Sequence, residues 1–272
     1  MGKKKILLGG IILMALLFMG LLNSFKSNFE YRSNIKNVNG IIVNSDLSNI
    51  KIVSTHPDLL IDFQGQKNIF GKPNIDIAYN KDKAVINIIS FDKVWKKALP
   101  VKGGRGKIVL NIPPGSLDEI FIKTKNGNID VEQVAEASRL SLISDVGIIR
   151  MNSFQGGLLN GETGNGSISL GEVDGQIDIR SKVGSLKSLV LKSVKGENDI
   201  KISNGNVKVQ LPKGIKIDDI GLNVSTKNGK IFSEEHKLNI VNKGPGKEVL
   251  ENTLNNEAKL NISVLVGNIE IN

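Results

Sequence analysis

The sequence predicts an all-β chain whose main part is a β-solenoid, a parallel β-helix-like stack with about 20 residues per coil. Apolar and polar residues alternate in short runs from Gly40 onward, which is typical of half-buried strands. Beyond residue 120, glycines recur at a nearly constant interval between these runs. Helical periodicity after residue 25 never exceeds about two turns, and the nearest candidate is Gln133 to Ser138.

The composition limits the chemistry that the chain can perform. Its 272 residues are 40% hydrophobic, which is enough for a buried core without covalent cross-links. The chain contains no cysteine, which excludes disulfide frameworks, thiolate zinc sites, iron–sulfur clusters and thiol catalysis. The formal net charge is +9, and three of the lysines lie in residues 1–25. This basic balance favours contact with anionic surfaces.

Residues 1–25 are predicted to form an N-terminal signal-anchor, or transmembrane, helix. Lys3, Lys4 and Lys5 precede an uncharged apolar run over residues 6–22, which would span roughly 25 Å as a helix. Because the lysines come first, they are expected to stay in the cytoplasm while the rest of the chain crosses. A cleaved signal peptide and a buried helix of the folded domain are the alternatives, although no good small-x-small cleavage site follows the run. We therefore expect a single-pass protein of the cell membrane with an extracytoplasmic body.

Three regions are expected after this anchor. Residues 26–37 form a short polar linker, residues 38–115 an irregular β-rich region, and residues 116–272 the regular coils. Residues 233–258 interrupt the last coils, and the Lys243–Lys247 stretch with its Gly-Pro-Gly centre is expected to be an exposed loop.

The regular coils are predicted from glycines that share the same surroundings. The residue two places after each of them is apolar, asparagine precedes four of them, and a hydroxyl recurs three places before five of them, at Thr124, Ser144, Thr163, Ser181 and Thr226. We interpret these glycines as structural corners between two strands, and the hydroxyls as hydrogen-bond donors to neighbouring corners. The corners are Gly127, Gly147, Gly166, Gly184, Gly205, Gly229 and Gly267.

Two strand arrangements agree with this local pattern. Asn-Gly between alternating strands is also a strong signal for a two-residue hairpin. A unit of about 20 residues cannot bury its own apolar face, whereas stacked units can, which is the principle of a solenoid. The near-constant spacing favours parallel coils, but the hairpin alternative stays open at this point.

One cluster of cations is a candidate for contact with an anionic surface. It comprises Lys93, Trp95, Lys96, Lys97, Lys102, Arg105 and Lys107. Six cations around the only tryptophan suit an anionic wall polymer or lipid headgroups. The alternative is a solvated turn whose tryptophan packs on the nearest strand. No nucleic acid is expected as a partner, because the aromatic strand signature of such domains is absent.

No residues are predicted to be catalytic, to bind a cofactor or to bind a metal. Asp130, Asp145, Asp178 and Asp199 are expected to be solvated charges that do not stack as a cluster. The adjacent acidic pair Asp218–Asp219 could bind calcium, although solvated loop acids are the favoured interpretation, as for Glu234–Glu235. The two histidines, His56 and His236, have no serine–acid partner at a suggestive spacing.

A resemblance to a known family rests on two adjoining stretches. Residues 112–120 read Ile-Pro-Pro-Gly-Ser-Leu-Asp-Glu-Ile, and residues 122–131 read Ile-Lys-Thr-Lys-Asn-Gly-Asn-Ile-Asp-Val. These stretches resemble the bacterial putative-adhesin family of domain-of-unknown-function proteins, which includes LiaG-type membrane proteins encoded with cell-envelope stress systems. The likeness covers roughly residues 35–272. It implies a β-solenoid-like extracytoplasmic domain without established catalytic residues, from which the 233–258 insertion and the basic cluster depart.

The expected function follows from the anchor, the repeat and the resemblance. We expect a membrane-anchored, non-catalytic component of the cell envelope, related to adhesion or envelope stress, that presents a rigid β-repeat surface. Its expected partners are the cytoplasmic membrane, through residues 6–22, and an anionic wall polymer or another envelope protein. A polysaccharide-active β-solenoid enzyme is one alternative, and an accessory or sensor subunit of a membrane signalling system is another.

Overall fold

The computed structural model describes residues 27–67, 72–90, 106–215, 217–252 and 258–272, together with Met14. Strands dominate this part of the chain, so the predicted all-β class is confirmed. A 3-10 turn covers Ile217–Asp219. The strands are β1 (Ser27–Asn34), β2 (Gly40–Ser45), β3 (Ser48–Val53), β4 (Leu60–Lys67), β5 (Asn74–Asn80), β6 (Lys83–Ile89), β7 (Gly106–Asn111), β8 (Glu119–Asn126), β9 (Ile129–Val146), β10 (Ile149–Asn165), β11 (Ile168–Val183), β12 (Leu186–Leu191), β13 (Glu197–Asn204), β14 (Val207–Val209), β15 (Gly221–Asn228), β16 (Ile231–Phe232), β17 (Val241–Asn242), β18 (Glu248–Asn252), β19 (Lys259–Val266) and β20 (Ile269–Ile271).

The strands stack as parallel coils rather than as hairpins. In the register, Ile149 of β10 lies beside Ile129 of β9 on one side and beside Ile168 of β11 on the other. Each coil therefore contributes one segment before its glycine corner and one segment after it. The segments before the corners form row A, which runs β6, β2, β8, the second halves of β9, β10 and β11, then β13, β19 and β15. The segments after the corners form row B, which runs β7, β3, the first halves of β9, β10 and β11, then β12, β14, β20 and β16.

The aliphatic side chains that face inward from both rows form one continuous core. The apolar residue two places after each corner is buried in every coil: Ile129, Ile149, Ile168, Leu186, Val207, Ile231 and Ile269. Row A adds a second set, including Ile122, Leu142 and Ile179, of which each is fully buried. Each such side chain contributes about 1.5–3 kcal/mol when it leaves water, and only a neighbouring coil can cover it.

The corner glycines form one column along the edge of the stack, where the coils approach too closely for a side chain. A Cβ atom on Gly166 would lie 1.8 Å from the carbonyl oxygen of Gly147, and one on Gly184 would lie 1.8 Å from that of Gly166. A Cβ atom on Gly127 would lie 1.9 Å from the carbonyl oxygen of Ser48, although the φ of Gly127 is outside the left-handed region. The close approach between coils therefore requires glycine here even where the backbone angle does not.

The hydroxyl row beside the glycines joins neighbouring corners. Ser144 Oγ donates to the carbonyl oxygen of Gly127 at 2.8 Å, and Thr226 Oγ1 donates to that of Gly267 at 2.9 Å. Thr124 and Thr163 make the equivalent bonds at 3.1 and 3.3 Å. The buried Ser181 hydroxyl has no hydrogen-bond partner among the described residues. The row thus adds a side-chain bond to the backbone ladder at four of its five positions.

The N-terminal part of the chain joins the same stack. Residues 26–37, expected to be a polar linker, include β1, which pairs antiparallel with β4. The ring of Phe29 meets that of Phe63 edge-on, with 6.0 Å between their centroids. Within residues 38–115, β2 and β3 stack in parallel on β8 and β9 and so form a coil of their own. At this end of the stack, β5 pairs antiparallel with β6 of row A, and β4 pairs antiparallel with β7 of row B and with β1 on its other side.

The described part of the C-terminal insertion contains a hairpin whose turn, Lys243–Lys247, is exposed as predicted. β17 and β18 pair antiparallel around the Gly-Pro-Gly turn, and β18 lies along the free edge of β15. Val249 and Leu250 of β18 are buried. The physical reason is that β15 would otherwise present an unpaired edge to solvent, which β18 covers.

The last two coils stand in the reverse of their chain order. β19, the final long strand, lies between β13 and β15, and β20 lies between β14 and β16. The coil with the corner Gly267 is therefore inserted between the coils with the corners Gly205 and Gly229. Nothing in the glycine spacing predicted this order.

Apart from Met14, the predicted membrane anchor, residues 6–22 within 1–25, lies outside the described residues. Across the ranges that the structure describes, no helix is long and apolar enough to cross a bilayer.

Replacing a corner glycine tests the close approach between coils. We expect Gly127→Ala to lower the free energy of unfolding by about 3 kcal/mol, the upper end for overpacking, because its Cβ atom collides with backbone. Gly161→Ala is the matched control, since its Cβ atom would meet only the flexible end of Ile179, at 3.0 Å. Urea denaturation of the two variants measures the difference. Equal stability losses would contradict the steric explanation.

Substituting two serines at equivalent positions distinguishes the contribution of the hydroxyl hydrogen bond to stability from that of burial alone. We expect Ser144→Ala to destabilise the fold by about 1 kcal/mol, because it removes a buried hydrogen bond. Ser181→Ala should be neutral or stabilising, because the hydroxyl that it removes is buried without a partner. Thermal or urea unfolding of both variants provides the comparison, and a larger loss for Ser181→Ala would refute the assignment.

Candidate functional site

A groove of about 360 Å³ opens on the outer side of row A, near the N-terminal end of the stack. Three neighbouring strands and the corner that follows β2 line it. The lining residues are Asn44, Ser45 and Asp46, then Asn87, Ile88 and Ile89 of β6, and Lys123 and Lys125 of β8. We call these eight residues the groove.

Strand register brings the polar side chains of the groove together. β2 lies between β6 and β8, so that Asn44 has Asn87 on one side and Lys123 on the other. Alternation along each strand points these three side chains outward, away from the buried Val43 and Ile86. Asn44 Nδ2 donates to Asn87 Oδ1 at 3.0 Å, which fixes the two amides as a pair.

The charged residues of the groove differ in whether they have partners within the protein. Asp46 accepts the backbone N–H of Ser90 at 2.9 Å. Lys123 and Lys125 form no ion pair with any part of the chain that the structure describes. Lys83, on the neighbouring β6, instead binds Glu119, and this hydrogen bond raises the pKa of Lys83. Two ammonium groups beside an amide pair can bind a phosphate or carboxylate together with nearby hydroxyl groups.

The groove continues into the corner edge, a row of exposed residues that each precede a corner glycine. In spatial order they are Asn126, Val146, Asn165, Val183, Asn204, Val266 and Asn228. Asparagine and valine alternate strictly, and the three valines are about half exposed, at 47–50%. Lys125, Lys182 and Lys227 each lie one residue before this row, on every third coil, and none has an ion pair in the described ranges. Over seven coils at ~4.8 Å spacing, the edge is roughly 29 Å long.

The cationic cluster predicted from the sequence lies largely outside the described residues. Lys93, Trp95, Lys96, Lys97, Lys102 and Arg105 all fall there, and only Lys107 is described. Lys107 is an exposed residue of β7 in row B, beside Asn49 and Gln64. The described chain before this cluster ends at Ser90, and its neighbour Ile89 lines the groove.

The groove itself was missed at the sequence level. Its three strands come from distant parts of the chain, and their neighbour relations cannot be read from spacing alone. One signal was available, because lysine stands two residues before three of the corner glycines, at Lys125, Lys182 and Lys227.

One prediction about the acidic residues is wrong. Asp178 of β11 and Asp199 of β13 are direct register partners and therefore stack, since each lies six residues before its corner glycine. Arg180 holds Asp178 with two hydrogen bonds of 2.8 and 2.9 Å, which raise the pKa of Arg180. Lys201 Nζ lies 3.5 Å from Asp199 Oδ1. Both carboxylates are thus paired with cations.

The other candidates for chemistry are accounted for by local structure. His56 Nδ1 accepts the backbone N–H of Asp58 at 3.0 Å, and the backbone N–H of His236 donates to Ser233 Oγ at 2.8 Å. The buried Asn111 organises the turn at His56, because its Oδ1 accepts the N–H of Thr55 at 2.7 Å. No group of three or more metal-ligating side chains occurs within the residues that could be searched, which are the described ones.

Several solved bacterial proteins have a similar chain trace. A putative adhesin from Bacteroides fragilis shares 15% identity over 90% of this chain and 97% of that chain, with a TM-score of 0.49. A putative lipid binding protein from Parabacteroides distasonis shares 13% identity over 90% and 97%, with a TM-score of 0.43. A putative cell adhesion protein from Clostridium sporogenes shares 13% identity over 90% and 99%, with a TM-score of 0.36.

The family assignment rests on the sequence match. No curated protein matches this chain. The family model described as Toastrack DUF4097 matches residues 67–272, which include every glycine corner and both groove lysines, Lys123 and Lys125. The chain therefore belongs to the Toastrack family, DUF4097.

Proposed function

We propose that this protein is a non-catalytic, membrane-anchored component of the bacterial cell envelope that binds anionic wall polymer on its extracytoplasmic body. The observation that carries the proposal is the pair of unpaired lysines, Lys123 and Lys125, above the Asn44–Asn87 amide pair in an open groove. The groove offers cationic and amide donors together, and the described lining contains no histidine.

The ligand class follows from the chemistry of the lining. A polymer that repeats phosphate or carboxylate groups among hydroxyls presents acceptors to the lysines and both donors and acceptors to the amides. The exposed side chain of Ile89 supplies apolar surface beside these groups. Such a mixed surface suits a polyol phosphate or an acidic glycan better than a bare inorganic ion.

The corner edge supports a polymer rather than a small molecule. Lys125 belongs both to the groove and to the row of lysines that continues with Lys182 and Lys227. A flexible polyanion could contact all three cations along roughly 29 Å, whereas a monomer could contact only one. The rigid spacing of the coils means that little ordering of the protein is needed on binding, which favours affinity.

The N-terminal sequence supports an extracytoplasmic location for the body of the protein. Lysines precede the apolar run of residues 6–22, so that an uncleaved anchor would place the body outside the cytoplasm. Wall polymers and anionic lipid headgroups are available on that side.

Neutralising the groove lysines tests the binding proposal. We expect the double variant Lys123→Gln/Lys125→Gln to bind immobilised polyglycerol phosphate roughly 10- to 30-fold more weakly at low salt, at about 1 kcal/mol per cation. The matched control is Lys51→Gln/Lys208→Gln, which removes the same net charge from lysines that are already paired with Glu132 and Glu270 on row B. The control should lose less than about 2-fold, because paired surface cations contribute little.

Equal losses in the two double variants would show that only net charge matters and would contradict a groove site. Release of cleaved product from wall glycans incubated with the protein would instead favour the polysaccharide-active enzyme. Crosslinking to a second membrane protein without polymer binding would favour the accessory or sensor subunit.

Removing the anchor tests the proposed location. We expect the full chain to sediment with membranes and to be digested by protease added to cells whose wall has been removed. A variant that lacks residues 1–25 should stay in the cytoplasm, protected from the protease, because it has no apolar run to direct export. Appearance of the truncated body on the outer face would contradict the anchor.

A further inference from the structure

The C-terminal coil, residues 258–272, fills a slot between two coils that precede it in the chain. Its strand β19 is parallel to β13 on one side and to β15 on the other. Its strand β20 is flanked in the same way by β14 and β16. Ile262, Val264 and Ile269 of this coil are buried in the shared core. The stack is therefore complete only when this segment is inserted between coils that formed from earlier sequence.

The wall of the slot on the Gly205 side makes specific polar contacts with the inserted coil. Lys208 Nζ binds Glu270 Oε1 at 2.6 Å, and this pair raises the pKa of Lys208 and lowers that of Glu270. Asn198, which is fully buried, donates from Nδ2 to the carbonyl oxygen of Lys259 at 3.1 Å. The backbone N–H of Asn268 donates to Asn206 Oδ1 at 2.9 Å.

The opposite wall, on the Gly229 side, recognises the same coil through different residues. Thr226 Oγ1 donates to the carbonyl oxygen of Gly267 at 2.9 Å. The backbone N–H of Lys230 donates to Asn268 Oδ1 at 3.0 Å, and that of Glu234 donates to Asn272 Oδ1 at 3.0 Å. Asn268 thus bridges the two walls. The slot is complementary to this particular sequence on both sides.

The inserted coil also fits the pattern of residues along the corner edge. Val266 lies between Asn204 and Asn228 and so continues the alternation of valine and asparagine along the edge. In chain order, the corners with Asn204 and Asn228 would be neighbours. Insertion of the coil between them therefore preserves the alternation of valine and asparagine along the whole edge.

None of the contacts described above involves β18, the last described strand before this coil. β18, which precedes it, lies on the far side of β15, while β19 lies on the near side, so that the chain passes from one side of β15 to the other. Every contact described above would form equally well if the coil came from a different molecule, which is the condition for exchange of identical elements between copies.

From these observations we propose that residues 258–272 are a strand-exchange element, and that the slot between the Gly205 and Gly229 coils accepts this segment from a second copy of the chain. Reciprocal exchange gives a linked pair in which each stack is completed by the other molecule. The exchanged and unexchanged forms share the same core contacts, so that protein concentration during folding decides between them. The proposal is independent of polymer binding.

Single cysteines provide the test, because the natural chain contains none. Asn204 and Val266 are register partners at exposed positions of adjacent strands, at a separation that a disulfide can bridge. An Asn204→Cys copy and a Val266→Cys copy, carrying tags of different size, are unfolded together, refolded at high concentration and oxidised. We expect a mixed disulfide dimer on a non-reducing gel at least 5-fold above that of the control pair, Asn204→Cys with Val146→Cys. Val146 is an equally exposed corner residue, but its neighbours are Asn126 and Asn165.

Two further measurements make each outcome decisive. The double variant Asn204→Cys/Val266→Cys, refolded at low concentration, should form an intrachain disulfide in a monomer, and failure to do so would overturn the register on which the slot depends. Thermal unfolding should show that every single-cysteine copy has refolded. A mixed dimer no more abundant than the control, from copies that have refolded, would overturn the proposed exchange.

Discussion

The close approach of successive coils at the glycine corners is the constraint on which the rest of this structure depends. Carbonyl oxygens of one corner lie where the Cβ atom of the next would be, as between Gly147 and Gly166. This contact sets the distance between coils at the edge, and the backbone N–H of six of the seven corners then donates to the neighbouring coil, as Gly166 does to Val183 at 2.9 Å. A side chain at any of these positions would force two coils apart and open the core behind it.

Because the distance between coils is fixed, residues that recur at the same offset from their corners lie side by side in the stack. Inward positions superimpose to give one aliphatic core, while outward positions superimpose to give columns of like or paired side chains, such as Asp178 beside Asp199. The proposed binding surface is a product of the same geometry, because unpaired lysines recur at the same distance from their corners. Several other charges on the coils, such as those of Arg150 and Asp130, are paired with a charge on the adjacent coil, at 3.1 Å in this case.

The two ends of the stack solve the problem of unpaired strand edges in different ways. At one end β5 and β4 pair antiparallel with β6 and β7, and at the other β18 pairs antiparallel with β15 of row A. The C-terminal coil is protected more thoroughly, because it is enclosed between two earlier coils. Strands in that position have their backbone hydrogen bonds satisfied on both sides, and this is also what makes the slot a recognition surface for one sequence.

The sequence by itself determined the all-β class, the glycine corners, the inward aliphatic positions and the hydroxyl donors beside them, because each depends on local spacing and residue size. Parallel coils were favoured over hairpins but not decided, since Asn-Gly suits both. Only the tertiary structure decided that β2 lies between β6 and β8, which creates the groove, and that residues 258–272 lie between the Gly205 and Gly229 coils. The physical reason is that one aliphatic strand pairs as well with any neighbour of matching pattern, so that strand order is selected by the packing of the whole stack.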